Sequence, residues 1–228
     1  MRALDLSPPL EPRREAQGRS LAELVEPGRL VELCGEARTS AAASILSQIQ
    51  RSGETSAWVQ PGPGSLYAPD LADAGVDIEA LVVVHVPPAS PSRRGPGANA
   101  SPQSGPRGPA GQCRAAELLL RSGAFGLVIL DFAGAEPRGS DAWQGRLLGL
   151  ARQHESRVLI LRDASAAHPS LGPLIGLRVA SHLEPAADEP GFVARTRRSW
   201  LVHEVLKNKS GGPLSPHREL LRGPWGLA

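Results

Sequence analysis

Short apolar runs alternate along this chain with segments in which apolar residues recur at helical spacing. That alternation is typical of an α/β domain in which helices cross between the parallel strands of one sheet. The run Leu127–Asp131 is the most apolar, which predicts a buried central strand. The other predicted strands are Arg29–Cys34, Ser56–Val59, Leu81–Val86, Arg157–Leu161, Val179–Leu183 and Ser199–Lys207. The predicted helices are Thr39–Arg51, Tyr67–Ala74 (a helix or a turn), Gln112–Arg121 (ending at Gly123) and Trp143–His154.

Three segments depart from this alternation and set the predicted domain boundaries. Residues 1–20 are rich in proline and charge, and we interpret them as a flexible arm. Pro87–Gly111 holds seven prolines and five glycines without either periodicity, which predicts a mobile, disordered insertion. The tail, residues 211–228, is expected to be mostly irregular and to pack back on the core. One core domain is therefore expected over residues 21–210.

Composition excludes several classes of protein. With 228 residues and a net charge of +2, the chain can bury one sizeable core, and its arginines are compatible with an acidic partner without requiring one. The two cysteines, Cys34 and Cys113, have no C-x-x-C spacing, and the six histidines are scattered, so neither a metal site nor a disulfide is indicated. This use of cysteine fits a reducing cytoplasm, with association with the nucleoid as an option. No apolar run approaches the length of about 18 residues that a membrane span requires, so we expect no membrane insertion.

The segment Gly35–Thr39 occupies the place of a phosphate loop, between a predicted strand and a predicted helix. A working loop reads G-x-x-x-x-G-K-[ST], because glycines let the backbone wrap the phosphates and lysine neutralises them. Here the residues are Gly35, Glu36, Ala37, Arg38 and Thr39, so the loop is short, the second glycine is missing and Glu36 adds negative charge. Two interpretations stay open: a nonfunctional loop that caps a helix, or a modified loop that still binds nucleotide.

Two further features each have a structural and a functional interpretation. Asp131 ends a predicted central strand, where a carboxylate either holds magnesium through water or caps the strand end. The densest basic stretch either forms a solvated face or binds phosphate or a partner. It consists of Arg195, Arg197, Arg198, Lys207 and Lys209.

Five segments of the chain form a pattern when they are taken in order. Two of them are generic, Gly28–Gly35 and Val128–Asp131, and three are more specific, Gly75–Ile78, Arg121–Ala124 and Lys207–Lys209. Together they resemble bacterial RecA recombinase, in the same order along the chain and over about Ser20 to Trp225. The chain is most similar to the ImuA family, truncated RecA-like proteins that accompany the protein ImuB and an error-prone polymerase. The resemblance implies a RecA-like P-loop NTPase core, with a mostly parallel central sheet flanked by helices and a degenerate nucleotide site.

The departures from RecA bear on activity. The resemblance places Arg38 and Thr39 over the Lys-Thr pair of its phosphate loop, and it places the region of its catalytic glutamate at Gly108–Gln112, which has no acidic residue. Its two DNA-binding loops shrink to about Ala133–Asp141 and Asp163–Gly172. Arg162 and Asp163 replace the polar pair that senses the γ-phosphate. Lys207 and Lys209 match residues that reach the nucleotide across the RecA filament interface.

These losses lead us to expect a non-catalytic regulator without a cofactor. Its expected role is to bind RecA in the SOS response to DNA damage and to limit recombination in favour of translesion synthesis. One alternative is a divergent relative that still binds ATP with magnesium and DNA. Another is a scaffold for the error-prone polymerase complex, with ImuB as a further partner, acting through the arm or the Pro87–Gly111 segment. DNA binding is expected to be weak, and no membrane partner is expected.

Overall fold

The computed structural model describes residues 20–64, 66–89, 106–137, 141–186, 198–211 and 216–222. In these ranges, five helices accompany a single sheet of eight strands. The helices are α1 (Leu21–Leu24), α2 (Arg38–Gln50), α3 (Ala68–Asp73), α4 (Gly108–Ser122) and α5 (Ala142–Gln153). The strands are β1 (Leu30–Cys34), β2 (Ser56–Pro61), β3 (Leu81–Val86), β4 (Leu127–Phe132), β5 (Arg157–Arg162), β6 (Ile175–Pro185), β7 (Arg198–Asn208) and β8 (His217–Arg222).

The order of strands across the sheet is β3-β2-β4-β5-β1-β6-β7-β8. Strands β1 to β6 pair in parallel, and β7 and β8 continue the sheet as antiparallel strands. The predicted α/β architecture with a mostly parallel sheet is confirmed. Because parallel strands end at one edge, the loops after β1, β2, β4 and β5 meet there, which is where ligands bind in open α/β sheets.

Apolar side chains fill the space on both faces of the sheet. Along β1, Val31 and Leu33 face α2, whereas Leu30 lies on the opposite face, because successive side chains of a strand point to opposite sides. On the α2 face the core includes Ile45 and Trp58. The core of the other face lies beneath α4 and α5 and includes Leu120, Val128, Leu130, Phe132, Trp143 and Leu147. The central strand β4 is buried along its whole length, as its sequence predicts.

The predicted insertion was wrong at its carboxyl end, because α4 begins at Gly108 rather than near Gln112. Pro109 lies in the first helical turn, where the missing amide hydrogen costs no helical bond, so a proline-rich composition does not exclude a helix start. The predicted stop is confirmed: Gly123 ends α4 with φ +67°. Residues 90–105 of the insertion and residues 1–19 of the arm lie outside the described residues.

The carboxyl-terminal third also differs from expectation. Strand β6 is longer than the predicted Val179–Leu183, since it pairs with β1 on one side and with β7 on the other. The tail was expected to be mostly irregular, which is wrong for His217–Arg222, where β8 pairs with β7 from Arg198 to His203. Only two apolar residues occur in β8, so its pairing depends on the preceding strand rather than on a pattern of its own.

Candidate functional site

The phosphate-loop position, Gly35–Thr39, lies between the carboxyl end of β1 and the first turn of α2. Gly35 has φ +88°, and an added Cβ would collide with the carbonyl oxygen of Ser181, so the position requires glycine. The Gly35 amide donates to the Ala164 oxygen at 2.9 Å, and the Ala37 amide donates to the Ser181 oxygen at 3.1 Å. The loop is therefore bonded both to β6 and to the segment that follows β5.

The guanidinium of Arg38 turns back on the loop that carries it. Its Nη1 donates to the Gly35 carbonyl oxygen at 3.2 Å, and its Nη2 lies 3.5 Å from Oδ1 of Asp163. The cation of a working phosphate loop is directed at the phosphates instead. The Arg38 charge is thus partly neutralised by Asp163, the exposed residue that directly follows β5.

A cavity of about 460 Å³ opens beside the loop, between the start of α2 and β6. Three carboxylates and one guanidinium line it, those of Glu36, Asp163, Glu204 and Arg38. A highly charged anion such as a triphosphate would meet repulsion from the excess of carboxylates. One feature favours an anion: no side chain caps α2, whose N-cap residue is Ala37, so the loop does not cap the helix through a side chain.

Asp131 is buried near the carboxyl end of β4, and its contacts are those of a residue that fixes a strand end. Its Oδ1 accepts the Ala133 amide at 3.1 Å, and its carbonyl oxygen accepts Nε2 of Gln112 at 2.6 Å. Burial raises the pKa of the Asp131 carboxyl, with the charge of Arg38 opposing the rise. Gln112, in the predicted catalytic-glutamate region, is itself buried and serves here as a structural donor.

A buried ion network is centred on β1, the strand that leads into the phosphate-loop position. Glu32 sits in the middle of β1 with no exposed surface. Its Oε1 accepts Arg162 Nη1 at 2.8 Å and Arg178 Nε at 2.9 Å. Its Oε2 accepts the Ser170 hydroxyl at 3.0 Å and the Leu171 amide at 2.9 Å. Although burial acts to raise it, the pKa of Glu32 is lowered, because the Leu171 amide, Arg162 and Ser170 stabilise the carboxylate.

The same network holds the two segments that correspond to the predicted DNA-binding loops. Arg162 makes a bidentate contact with Glu136 of the first segment, at 2.7 and 2.9 Å, and donates to the Pro169 oxygen of the second at 2.9 Å. Arg178 donates to the carbonyl oxygens of Ser165 and Ala166 at 3.2 and 3.3 Å. Both segments are therefore bonded to the sheet through buried guanidinium groups. Residues 138–140 of the first segment lie outside the described residues.

Sequence reasoning missed this network, although a signal existed. Glu32 is a charged residue inside an apolar strand, and Arg162 and Arg178 likewise lie in strand segments. Arg162 was predicted to replace a γ-phosphate sensor. In the structure its guanidinium is buried against Glu32 and Glu136, while its neighbour Asp163 faces Arg38.

Of the predicted basic residues, the structure describes Arg198, Lys207 and Lys209, and it does not bring Arg198 together with the two lysines. Lys207 and Lys209 lie at the end of β7 and donate to the carbonyl oxygens of Gly172 and Pro173, respectively. Burial and the neighbouring Lys209 charge lower the pKa of Lys207. Arg198 begins β7, and a strand of 11 residues spans about 35 Å, so it lies far from the lysines. Arg195 and Arg197 lie outside the described residues.

Neither lysine contacts the chain's own phosphate-loop position among the described residues. The Lys209 amide donates to the oxygen of Gly176, at the amino end of β6, whereas Cys34, which precedes Gly35, pairs with Ala180 further along that strand. These two are the only lysines of the sequence. Their amino groups are hydrogen-bonded to the segment that precedes β6.

Comparisons with known proteins bear on the fold. No protein-family model matches this chain, and no curated protein matches it. Among solved structures, the chain is similar to the crystal structure of the RadB recombinase, with a TM-score of 0.51 and 14% identity. The match covers 85% of this chain and 87% of that one. The chain therefore has the fold of the RecA-like recombinases.

The described residues contain no helix that is both long and apolar enough to cross a membrane. Within the same part of the chain, no group of three or more His, Cys, Asp or Glu side chains is arranged to hold a metal ion.

Proposed function

We propose that this chain is a non-catalytic RecA-like protein of the DNA-damage (SOS) response, related to the ImuA family. In this proposal it binds RecA and limits recombination in favour of translesion synthesis. The fold supports a relationship to the recombinases. The observation that supports the non-catalytic part is that Arg38, at the phosphate-loop position, contacts Gly35 and Asp163 of this chain.

Three further observations support the loss of ATP hydrolysis. The cavity beside the loop carries more carboxylates than cations, which disfavours a polyphosphate. Asp131 is buried with a raised pKa, which weakens a carboxylate as a partner for hydrated magnesium. The side chain of Gln112 is buried as a donor to the Asp131 carbonyl, so it has no part in positioning a water molecule. Each observation concerns a different component of phosphoryl transfer.

The two segments predicted as DNA-binding loops are bonded to the sheet, which supports a role in binding protein rather than DNA. Loops that follow and wrap a nucleic acid strand must be free to change conformation. Here Glu136 and Ser170 tie both segments to the ion network of Glu32, Arg162 and Arg178. In this proposal, the RecA-like fold with these two segments fixed against its sheet docks against a RecA protomer or a filament end.

Lys207 and Lys209 are the residues we assign to RecA contact. They resemble lysines that act across the RecA filament interface, and they supply two positive charges at one end of β7. Among the described residues neither lysine contacts the chain's own Gly35 loop, which suits a role toward a second protein. Arg195, Arg197 and Arg198 are assigned to the same partner only through their sequence proximity.

A second candidate function is a divergent relative that binds ATP with magnesium. It is favoured by the uncapped first turn of α2 and by the positive φ of Gly35, because both features suit an anion. The third candidate, a scaffold for ImuB and an error-prone polymerase, would use residues 1–20 or the Pro87–Gly111 segment as a linear binding motif. Deletion of residues 90–105 separates the scaffold from the regulator: a scaffold loses its partner while RecA binding persists.

The test of the proposal is the inhibition of RecA-catalysed strand exchange by the purified chain. The double substitution Lys207→Ala/Lys209→Ala is expected to weaken RecA binding by about tenfold or more, since it removes two charges from the interface. The control, Arg51→Ala/Arg121→Ala, removes the same charge from exposed sites elsewhere and is expected to keep full inhibition. Unchanged RecA binding by the lysine variant would contradict the assignment of Lys207 and Lys209 to the RecA interface. A lack of inhibition by the unaltered chain would contradict the proposal.

A further inference from the structure

The two edges of the sheet differ sharply in charge. Strand β8 forms one edge and carries Arg218, Glu219 and Arg222 among its six residues. Strand β3 forms the other edge with the sequence Leu-Val-Val-Val-His-Val, which has no arginine, lysine or carboxylate. Proteins usually guard an edge strand with charge, proline or a bulge, because an open edge pairs with other strands. Within the strand itself, β3 has none of these guards.

The outer side of β3 has backbone groups available for pairing. The carbonyl oxygens of Ala80 and Val86 accept amides of Ser56 and Gly62, so these even-numbered positions face β2. Backbone groups alternate along a strand, which directs those of Leu81, Val83 and His85 outward. The Leu81 amide donates to Ile78. Among the described residues, the amides and carbonyls of Val83 and His85 have no partner on this outer side.

The side chains of β3 are exposed on both faces of the sheet at this edge. Val82 is 46% exposed and its neighbour Val83 is 37% exposed, and adjacent side chains of a strand point to opposite faces. A partner strand would therefore cover apolar surface above and below the sheet at once. Covering such β-branched side chains across a strand pair stabilises the pairing.

We propose that β3 pairs with β3 of a second copy of this chain, antiparallel and across a two-fold axis at Val83. The outward backbone groups of Leu81, Val83 and His85 fix this register, because in an antiparallel pair the residues that exchange backbone hydrogen bonds lie opposite one another. The two Val83 residues then exchange both backbone bonds, each His85 amide donates to the partner's Leu81 carbonyl, and Val82 lies opposite Val84. A second copy of the chain suits this edge because β3 has no arginine, lysine or carboxylate. Pairing two β3 strands therefore buries no such charge and brings no like charges together.

This pairing is isologous, so it closes after two copies and produces a dimer with a continuous sheet rather than a filament. The inference rests on the sheet edge alone and is independent of the proposed function. Sedimentation velocity of the full chain between about 1 and 100 μM is expected to show a species of about 48 kDa, twice the chain mass of 24.0 kDa. A monomer throughout this range would overturn the proposal.

Substitutions at Val83 test the position of the interface. Val83→Lys places two ammonium groups at the two-fold axis and is expected to raise the dissociation constant by about 100-fold or more. Val83→Thr keeps the branched shape without charge and is expected to remain dimeric. Leu118→Lys, at a 53% exposed site on α4, controls for adding charge at an exposed apolar residue. A dimer that survives Val83→Lys would place the interface elsewhere and overturn the proposal.

Cysteine substitutions test the register without disturbing the charge. Val83→Cys brings two thiols opposite each other at the axis, within the Cα separation of about 5.5 Å that a disulfide accepts. Val82→Cys is the matched control, because its counterpart is Val84 and not itself. Mild oxidation is expected to cross-link the first variant and not the second, while the buried Cys34 and Cys113 stay reduced. Equal cross-linking of both variants, or of neither, would overturn the proposed register. This test does not depend on whether Val83→Lys folds.

Discussion

Oε1 of Glu32 and Nη1 of Arg162 lie 2.8 Å apart on adjacent strands, and the two side chains are 0% and 8% exposed. Arg178, on the other side of β1, contacts the same carboxylate oxygen. A carboxylate between two guanidinium groups costs desolvation, which is offset here by hydrogen bonds from Ser170 and Leu171. This arrangement fixes the segment after β5 against the sheet and makes the carboxylate sensitive to substitution.

Glu32→Ala is expected to lower the free energy of unfolding by about 3–5 kcal/mol, because it leaves two buried guanidinium groups without their shared carboxylate. Urea denaturation measures the change. Glu26→Ala, which removes the partner of Arg29 at an exposed site, is the control and is expected to cost no more than about 1 kcal/mol. Equal losses of unfolding free energy in the two variants would show that the Glu32 network contributes no more stability than an exposed ion pair.

Gly35→Ala and Gly53→Ala form a matched pair. Both glycines have positive φ, +88° and +84°, but an added Cβ meets the Ser181 carbonyl oxygen at Gly35 and nothing within 4 Å at Gly53. Gly53→Ala is expected to cost about 1 kcal/mol from backbone conformation alone. Gly35→Ala is expected to cost at least about 2 kcal/mol more, because β6 must shift. Thermal unfolding of both variants measures the difference, and equal melting temperatures would contradict the packing of the loop against β6.

Stability is expected to fall as the pH is lowered from about 6.5 to about 4. Burial lowers the pKa of His203 from 6.5 to about 4, so the unfolded chain binds the proton first and stability is lost over this window. The loss approaches about 3 kcal/mol at its lower end. His203→Asn preserves a polar atom for the Ser181 hydroxyl, which lies 2.9 Å from Nδ1, and is expected to flatten this part of the curve. An unchanged slope in the variant would contradict a neutral, buried His203.

Both thiols are expected to react with an aromatic disulfide reagent at pH 8 only after unfolding. Cys34 and Cys113 are buried and free, and burial raises the pKa of each thiol, that of Cys113 to about 12. The thiolate is the reactive form, so the folded protein presents little nucleophile. Counting titrated thiols before and after adding denaturant measures this. A fast reaction of one thiol in the native protein would show that its surroundings open readily.

The fold was predictable because its signals are local. Strand β3 was predicted with its observed bounds, and β1, β4 and β5 to within one residue at either end, since each is dominated by a short run of apolar residues. Strand β8 was missed because its sequence has little alternation, so its formation depends on pairing with the preceding strand β7. The start of α4 was missed because proline and glycine reduce helical propensity but are accepted in a first turn.

The site was less predictable, because its contacts depend on the order of strands in the sheet. Arg38 was recognised as the residue at the phosphate position, but its contact with Asp163 requires β5 to lie beside β1. Glu32 meets Arg162 and Arg178 only because β5 and β6 flank the same strand. Arg198 and Lys207 are close in sequence yet lie at opposite ends of β7, since an extended strand separates its ends as far as possible.

Calorimetric titration of the full chain with ATP and magnesium tests most directly whether this RecA-like fold is non-catalytic. With Arg38 paired to Asp163 and three carboxylates around the cavity, we predict no heat of binding up to about 1 mM ATP. The contradicting result is a dissociation constant in the range of about 1–10 μM that weakens in Arg38→Ala and Asp131→Ala. That result would identify Gly35–Thr39 as a working nucleotide site.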